Sequence, residues 1–139
     1  MSELLDELKR EHALMLDILD DVKRLGLSSR AGQEKFLSAK ALLLSHMQKE
    51  DREFYPGLRK AAESSEDLKR TLDYFAGDME VVSRKAKQVF DKHSSEAAGT
   101  EPSDVTLLYM ILRDRIRAEE QVLFKRFERL DRLPDRKAP

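Results

Sequence analysis

Four polar side chains fall at positions that a helix would turn towards a protein core, and their types could bind a metal ion. His46 and Glu50 are four residues apart in SHMQKEDREFYP, so a helix presents both on one face. His12 lies within an apolar stripe near the start of the chain, and Glu119 lies within another near its end. Imidazole and carboxylate groups together suit iron, manganese or zinc. We therefore predict that His12, His46, Glu50 and Glu119 converge at one level of a helical fold.

Apolar residues recur at steps of three and four in four segments, which is typical of amphipathic helices. The predicted helices cover residues 2–25, 30–54, 65–92 and 103–130. Gly26 is placed to end the first, and Tyr55-Pro56-Gly57 to end the second. Short connections favour antiparallel neighbours, so the expected fold is all-α, an up-down-up-down antiparallel four-helix bundle. The bundle is predicted to span residues 1–133, with a frayed tail at residues 134–139.

Composition excludes several classes of function. The 139 residues include 26 basic and 27 acidic side chains, with a formal net charge of −1, and a polyanion binder would show a basic excess. The absence of cysteine excludes disulfides, iron–sulfur clusters and thiolate ligands. No secretory start, membrane span, phosphate-binding loop or catalytic motif is recognisable, so we expect a cytoplasmic chain that binds neither membranes nor nucleic acid. The sequence does not favour an enzyme.

The second and fourth segments share a faint likeness, KEDREFYP against AEEQVLFK. Aligned on their acidic pairs, Glu50-Asp51 corresponds to Glu119-Glu120, and an aromatic residue follows each pair.

His12 in REHALMLDIL, the segment SHMQKEDREFYP and the segment RIRAEEQVLF together resemble the haemerythrin-like, or HHE cation-binding, proteins. The resemblance extends from about residue 3 to residue 130. It implies a four-helix bundle that holds a non-haem di-iron centre, with roles in binding oxygen or nitric oxide, in sensing, in iron storage or in repair of iron–sulfur centres. By position, it makes His12, His46, Glu50 and Glu119 metal ligands.

The resemblance also predicts ligands that this chain lacks. The third-helix histidine of the family falls near Met79, and the fourth-helix histidine falls at Arg115. The third histidine of the chain, His93, is predicted to lie in a loop that runs to Pro102. A single iron ion is therefore expected rather than a di-iron centre, with a small diatomic molecule as a possible ligand.

Two interpretations of this polar layer remain open. In the first, His12, His46, Glu50 and Glu119 bind one metal ion beside an apolar wall at Met79. In the second, the protein is a metal-free interaction or regulatory protein, and the guanidinium of Arg115 pairs with Glu50 and Glu119 in place of the metal. A haem ligated by Met79 and a histidine has no other support in the sequence.

Overall fold

The computed structural model describes residues 3–94 and 102–131. These residues form six α-helices, and two π-helical segments link consecutive helices. In chain order the elements are α1 (Glu3–Leu25), α2 (Arg30–Lys49), π1 (Glu50–Phe54), α3 (Tyr55–Ala62), α4 (Glu66–Ser94), α5 (Pro102–Ala118), π2 (Glu119–Leu123) and α6 (Phe124–Asp131). The elements α2, π1 and α3 follow one another without a break, as do α5, π2 and α6.

The described residues contain no β-strand, so the all-α prediction is confirmed over these ranges. Helix α1 packs against α2 and α5, α4 packs against α3 and α5, and α3 also contacts α6. None of the described helices is long and apolar enough to cross a membrane.

The turn between α1 and α2 requires glycine at two positions. Gly26 has a φ of +83°, and its N–H donates to the carbonyl oxygen of Val22 over 2.8 Å. Gly32 packs so closely on this turn that an added Cβ would lie 1.8 Å from the carbonyl oxygen of Gly26. Ser29 caps α2, because its Oγ accepts the Gly32 N–H over 3.0 Å. The predicted end of the first helix before Gly26 is therefore confirmed.

Two apolar clusters form the core, and the polar residues of interest lie between them. Along α1, Leu8 belongs to one cluster and Met15 to the other, with His12 between them. In the continuous stretch of α2, π1 and α3, Leu43 belongs to the same cluster as Met15 and Phe54 to the same cluster as Leu8, with His46 and Glu50 between them. In the continuous stretch of α5, π2 and α6, Leu112 and Leu123 likewise belong to different clusters, with Glu119 between them. The polar layer is therefore enclosed by apolar side chains on both sides.

Three predicted boundaries were wrong. The second helix does not end at Pro56 but continues as α3 to Ala62, because π1 widens the turn just before the proline and so accommodates its ring and missing N–H. His93 lies within α4, which extends to Ser94, and not in a loop. Ser103 lies inside α5, which already begins at Pro102, since proline suits the first turn of a helix. The predicted C-terminal tail lies outside the described residues.

Candidate metal centre

The four polar residues predicted from the sequence meet in one buried cluster. His12 Nε2 lies 3.1 Å from Glu119 Oε1, and His46 Nε2 lies 3.3 Å from Glu50 Oε2. The two imidazole ring centroids are 4.6 Å apart. One possible ligand atom from each of the four residues can be chosen so that all lie within 4.8 Å of one another. The side chains come from α1, α2, π1 and π2, so the cluster joins three separate stretches of the chain.

Each histidine is held by a second carboxylate on its other ring nitrogen. His12 Nδ1 lies 2.6 Å from Glu120 Oε2, and His46 Nδ1 lies 2.8 Å from Glu11 Oε1. Glu11 in turn accepts a hydrogen bond from Lys49. When a carboxylate accepts the Nδ1 hydrogen of a neutral imidazole, the lone pair remains on Nε2. This arrangement directs both Nε2 atoms towards Glu50 and Glu119.

Each carboxylate of the cluster is the first residue of a π-helical segment. Glu50 begins π1 and Glu119 begins π2. The carbonyl oxygen of Glu50 accepts the N–H of Tyr55, and that of Glu119 accepts the N–H of Phe124, each five residues later. Such wide turns occur frequently at functional sites. The likeness between the second and fourth segments therefore extends to the backbone.

The carboxyl groups of Glu50 and Glu119 are buried side by side, and their pKa values shift in opposite directions. Desolvation and the hydrogen bond with Glu119 raise the pKa of Glu50. In the metal-free cluster, desolvation also acts to raise the pKa of Glu119, but its hydrogen bonds with His12 and Glu50 and the positive charge of Arg115 outweigh this effect and lower that pKa. Without a metal ion, the pair therefore retains a proton on Glu50 while Glu119 is ionised.

Arg115 points into the protein beside this cluster, with a side chain only 5% exposed. Its Nη1 donates to the carbonyl oxygen of Phe75 over 2.9 Å and to Asp78 Oδ2 over 3.1 Å. Its Nη2 donates to the Tyr55 hydroxyl over 3.0 Å and lies 3.6 Å from Glu119 Oε2. Among the described residues, no ion pair joins Arg115 to Glu50. The predicted pairing with Glu119 is therefore present, whereas the predicted pairing with Glu50 is not, because the other guanidinium nitrogen is held by Asp78 and the carbonyl oxygen of Phe75.

Tyr55 links the arginine to the cluster, and sequence reasoning missed it because no motif or spacing distinguishes this tyrosine as a site residue. Its hydroxyl accepts from Arg115 and donates to Glu119 Oε2 over 3.0 Å. Burial raises the pKa of Tyr55, so the phenol remains protonated and able to donate. Met79 is half-buried and packs against one of the apolar clusters.

The donor set fits a divalent cation. Two imidazole nitrogens and two carboxylates form a site that suits first-row metals. Glu50 Oε2 is buried and, in the part of the chain that the structure describes, has no hydrogen-bond partner, despite its distance of 3.3 Å from His46. A buried carboxylate oxygen without a partner is unfavourable, and a cation would compensate it. The residues therefore match the needs of a metal ion in type, separation and burial.

A family model described as the hemerythrin HHE cation binding domain matches residues 3–127. The chain belongs to this family. The matched range contains the whole polar cluster of this HHE domain and both of its π-helical segments. The resemblance drawn from the sequence is thus confirmed. Searches of curated proteins and of solved structures gave no match.

Proposed function

We propose that this HHE domain binds one divalent metal ion through His12, His46, Glu50 and Glu119, and that the ion is iron. One observation carries the proposal: both histidines turn Nε2 towards the buried glutamate pair while Nδ1 is held by a further carboxylate. Metal-ligating histidines commonly have this second partner. The partnerless oxygen of Glu50 supports the same conclusion.

A single ion fits better than two. Arg115 places a permanent positive charge 3.6 Å from Glu119, on the side of the cluster where Tyr55 also lies. A second cation there would be repelled by the guanidinium. Asp78 and the carbonyl oxygen of Phe75 hold Arg115 in place, so it cannot swing away without losing these hydrogen bonds.

Bound ferrous iron supplies a redox-active centre with affinity for small diatomic molecules, which is consistent with a role in sensing such a molecule or in storing iron. The chain's own residues provide the environment. Glu11 and Glu120 orient the two imidazoles, while Tyr55 holds Glu119 by a hydrogen bond. The apolar clusters on both sides limit the access of water. The proposal includes an antiparallel up-down-up-down bundle and a cytoplasmic location.

Metal titration of the untagged protein tests the proposal. Protein stripped with a chelator is titrated without oxygen with Fe(II), and separately with Mn(II) and Zn(II), by calorimetry. We expect saturation at one ion per chain in wild-type protein and loss of that binding in His46→Gln. His93→Gln is the control, because it removes the histidine outside the proposed ligand set. Absence of saturable binding, or equal losses in both variants, contradicts the proposal.

The second candidate is a metal-free interaction protein, and the inward position of Arg115 favours it. In this case the guanidinium supplies the positive charge that Glu119 needs, and the family's cation is replaced by a side chain. This candidate predicts a protein that stays fully folded in chelator and gains no thermal stability from any of the three metals, whereas a bound metal stabilises the folded state by mass action.

A further inference from the structure

A cavity of about 920 Å³ lies between α3 and α4, and Arg115 is among the side chains that line it. It is separate from the proposed metal ligands, none of which lines it, although Tyr55 and Arg115 border both places. Its volume lies within the range of small-molecule sites, which is roughly 300–1,000 Å³. A cavity of this size is large enough for an organic molecule with one or two rings.

The inner wall of the cavity is apolar and its outer edge is acidic. Leu72, Phe75, Ala76 and Met79 form the apolar wall along α4. Five exposed carboxylates surround the opening, and they are Asp51, Glu63, Glu66, Asp73 and Glu80. Of these five, only Glu66 forms an ion pair with a described residue, at 4.0 Å from Arg70.

The basic side chains around the cavity do not balance these acids. Arg59 and Lys69 are the two exposed basic residues at the opening. The charge of Arg115, deeper in the cavity, is offset by Asp78 at 3.1 Å and by Glu119 at 3.6 Å. The opening therefore has an excess of negative charge, which attracts a cationic group and repels an anionic one.

We propose that this cavity binds a small amphipathic organic cation. The apolar body of the ligand packs against Leu72, Phe75 and Met79, and its ammonium group lies among the carboxylates of the opening. Apolar burial supplies the main part of the affinity, and the charge of the opening selects the sign of the ligand. This site requires no metal ion and lies beyond the proposed function.

Three probes with one apolar body and different charges test the proposal on chelator-treated protein. They are 1-naphthylmethylamine, 1-naphthylmethanol and 1-naphthoate, followed by naphthalene fluorescence, to which tryptophan adds nothing because the chain has none. We expect the amine to bind about tenfold more tightly than the carboxylate, with the alcohol between them. This preference should weaken as salt is raised. A carboxylate that binds as tightly as the amine overturns the proposal.

Two variants locate the binding. Ala76 is exposed on the cavity wall, so Ala76→Phe fills the cavity without disturbing the core, and we expect the amine to lose at least tenfold in affinity. Ala13→Phe is the matched control, since Ala13 is also an exposed alanine on a helix and does not line the cavity. The double variant Asp73→Asn, Glu80→Gln should reduce the preference for the amine over the carboxylate. Unchanged binding in Ala76→Phe also overturns the proposal.

Discussion

Arg115 Nη2 lies 3.6 Å from the Oε2 atom of Glu119, four residues further along the chain. His46 and Glu50 have the same spacing, with Nε2 at 3.3 Å from Oε2. The two glutamates also begin the two π-helical segments. Arg115 therefore occupies the position in the fourth segment that His46 occupies in the second. A histidine in place of Arg115 would make the two halves of the cluster equivalent.

Replacement of this arginine should strengthen metal binding. Arg115→His exchanges a fixed positive charge for a neutral nitrogen ligand at the position equivalent to His46, so we expect the affinity for Fe(II) to rise at least about tenfold. Calorimetry of stripped protein measures the change. Arg117→His, which adds a histidine at an exposed position of the same helix, is the control and should match wild-type protein. Equal affinities in all three proteins would place Arg115 outside the metal site.

Removal of the same guanidinium should destabilise the metal-free protein. Arg115→Met leaves the ionised Glu119 without its nearby positive charge and removes two hydrogen bonds to α4. Breaking a buried ion pair of this kind costs about 3 kcal/mol in the free energy of unfolding. Urea unfolding in the presence of chelator measures it. Arg117→Met is exposed and should change stability by less than about 0.5 kcal/mol. A similar small loss for both variants would show that Arg115 contributes little to folding.

Neutralisation of Glu50 should stabilise the metal-free protein at neutral and alkaline pH. Burial raises the pKa of Glu50 from its ordinary value of 4.5 to about 10. In the unfolded chain this group ionises above pH 4.5, whereas in the folded state it retains its proton, so the folded state loses stability as pH rises between these values. Glu50→Gln is neutral at every pH and avoids this loss.

We expect Glu50→Gln to gain about 1 kcal/mol or more at pH 8, and little near pH 4.5. Thermal unfolding in chelator across this pH range measures the difference. Glu34→Gln, at an exposed position of α2, should show no such pH-dependent gain. A variant that is less stable than wild-type protein at pH 8 would mean that the ionised carboxylate is needed for folding. The same substitution should abolish metal binding, since it removes a proposed ligand.

The two carboxylates that contact the Nδ1 atoms of the histidines, Glu11 and Glu120, should contribute to metal affinity without binding the ion themselves. Glu11→Gln and Glu120→Gln each remove the charge that orients one imidazole through Nδ1, and loss of such a partner typically lowers affinity about 10- to 100-fold. Calorimetry with Zn(II) and Fe(II) measures this loss, with Glu34→Gln as the exposed control. The number of ions bound per chain should stay the same. Affinities equal to that of the control would show that the imidazoles are positioned by packing alone.

Helical periodicity was sufficient to predict which face of each helix is buried, including its polar residues. The steps of three and four that place Leu8, His12 and Met15 on one face of α1 also bury them together. In the same way, the spacing of His46 and Glu50 predicted that they share a face. These relationships are local, and a single helix determines them.

The partners of these residues could not be predicted in the same way. Tyr55 and Asp78 approach Arg115 from other helices, and their positions depend on how the helices pack. Glu11 directly precedes His12, and Glu120 directly follows Glu119, so helical periodicity assigned both to the face beside the buried one. Only the packed structure shows that their side chains reach back to His46 and His12.

The wide turns at Glu50 and Glu119 also set the rotational phase of the helices that they join. An α-helix turns by about 100° per residue, so an extra residue in a regular helix rotates everything that follows it by that angle. His46 and Phe54 are eight residues apart, a spacing that an uninterrupted α-helix would set about 80° out of phase, yet both are buried because the wide turn of π1 takes up the extra residue. Loss of one residue from π1 or π2 would therefore leave the buried faces of the joined helices in phase and would remove the wide turn that begins at Glu50 or Glu119.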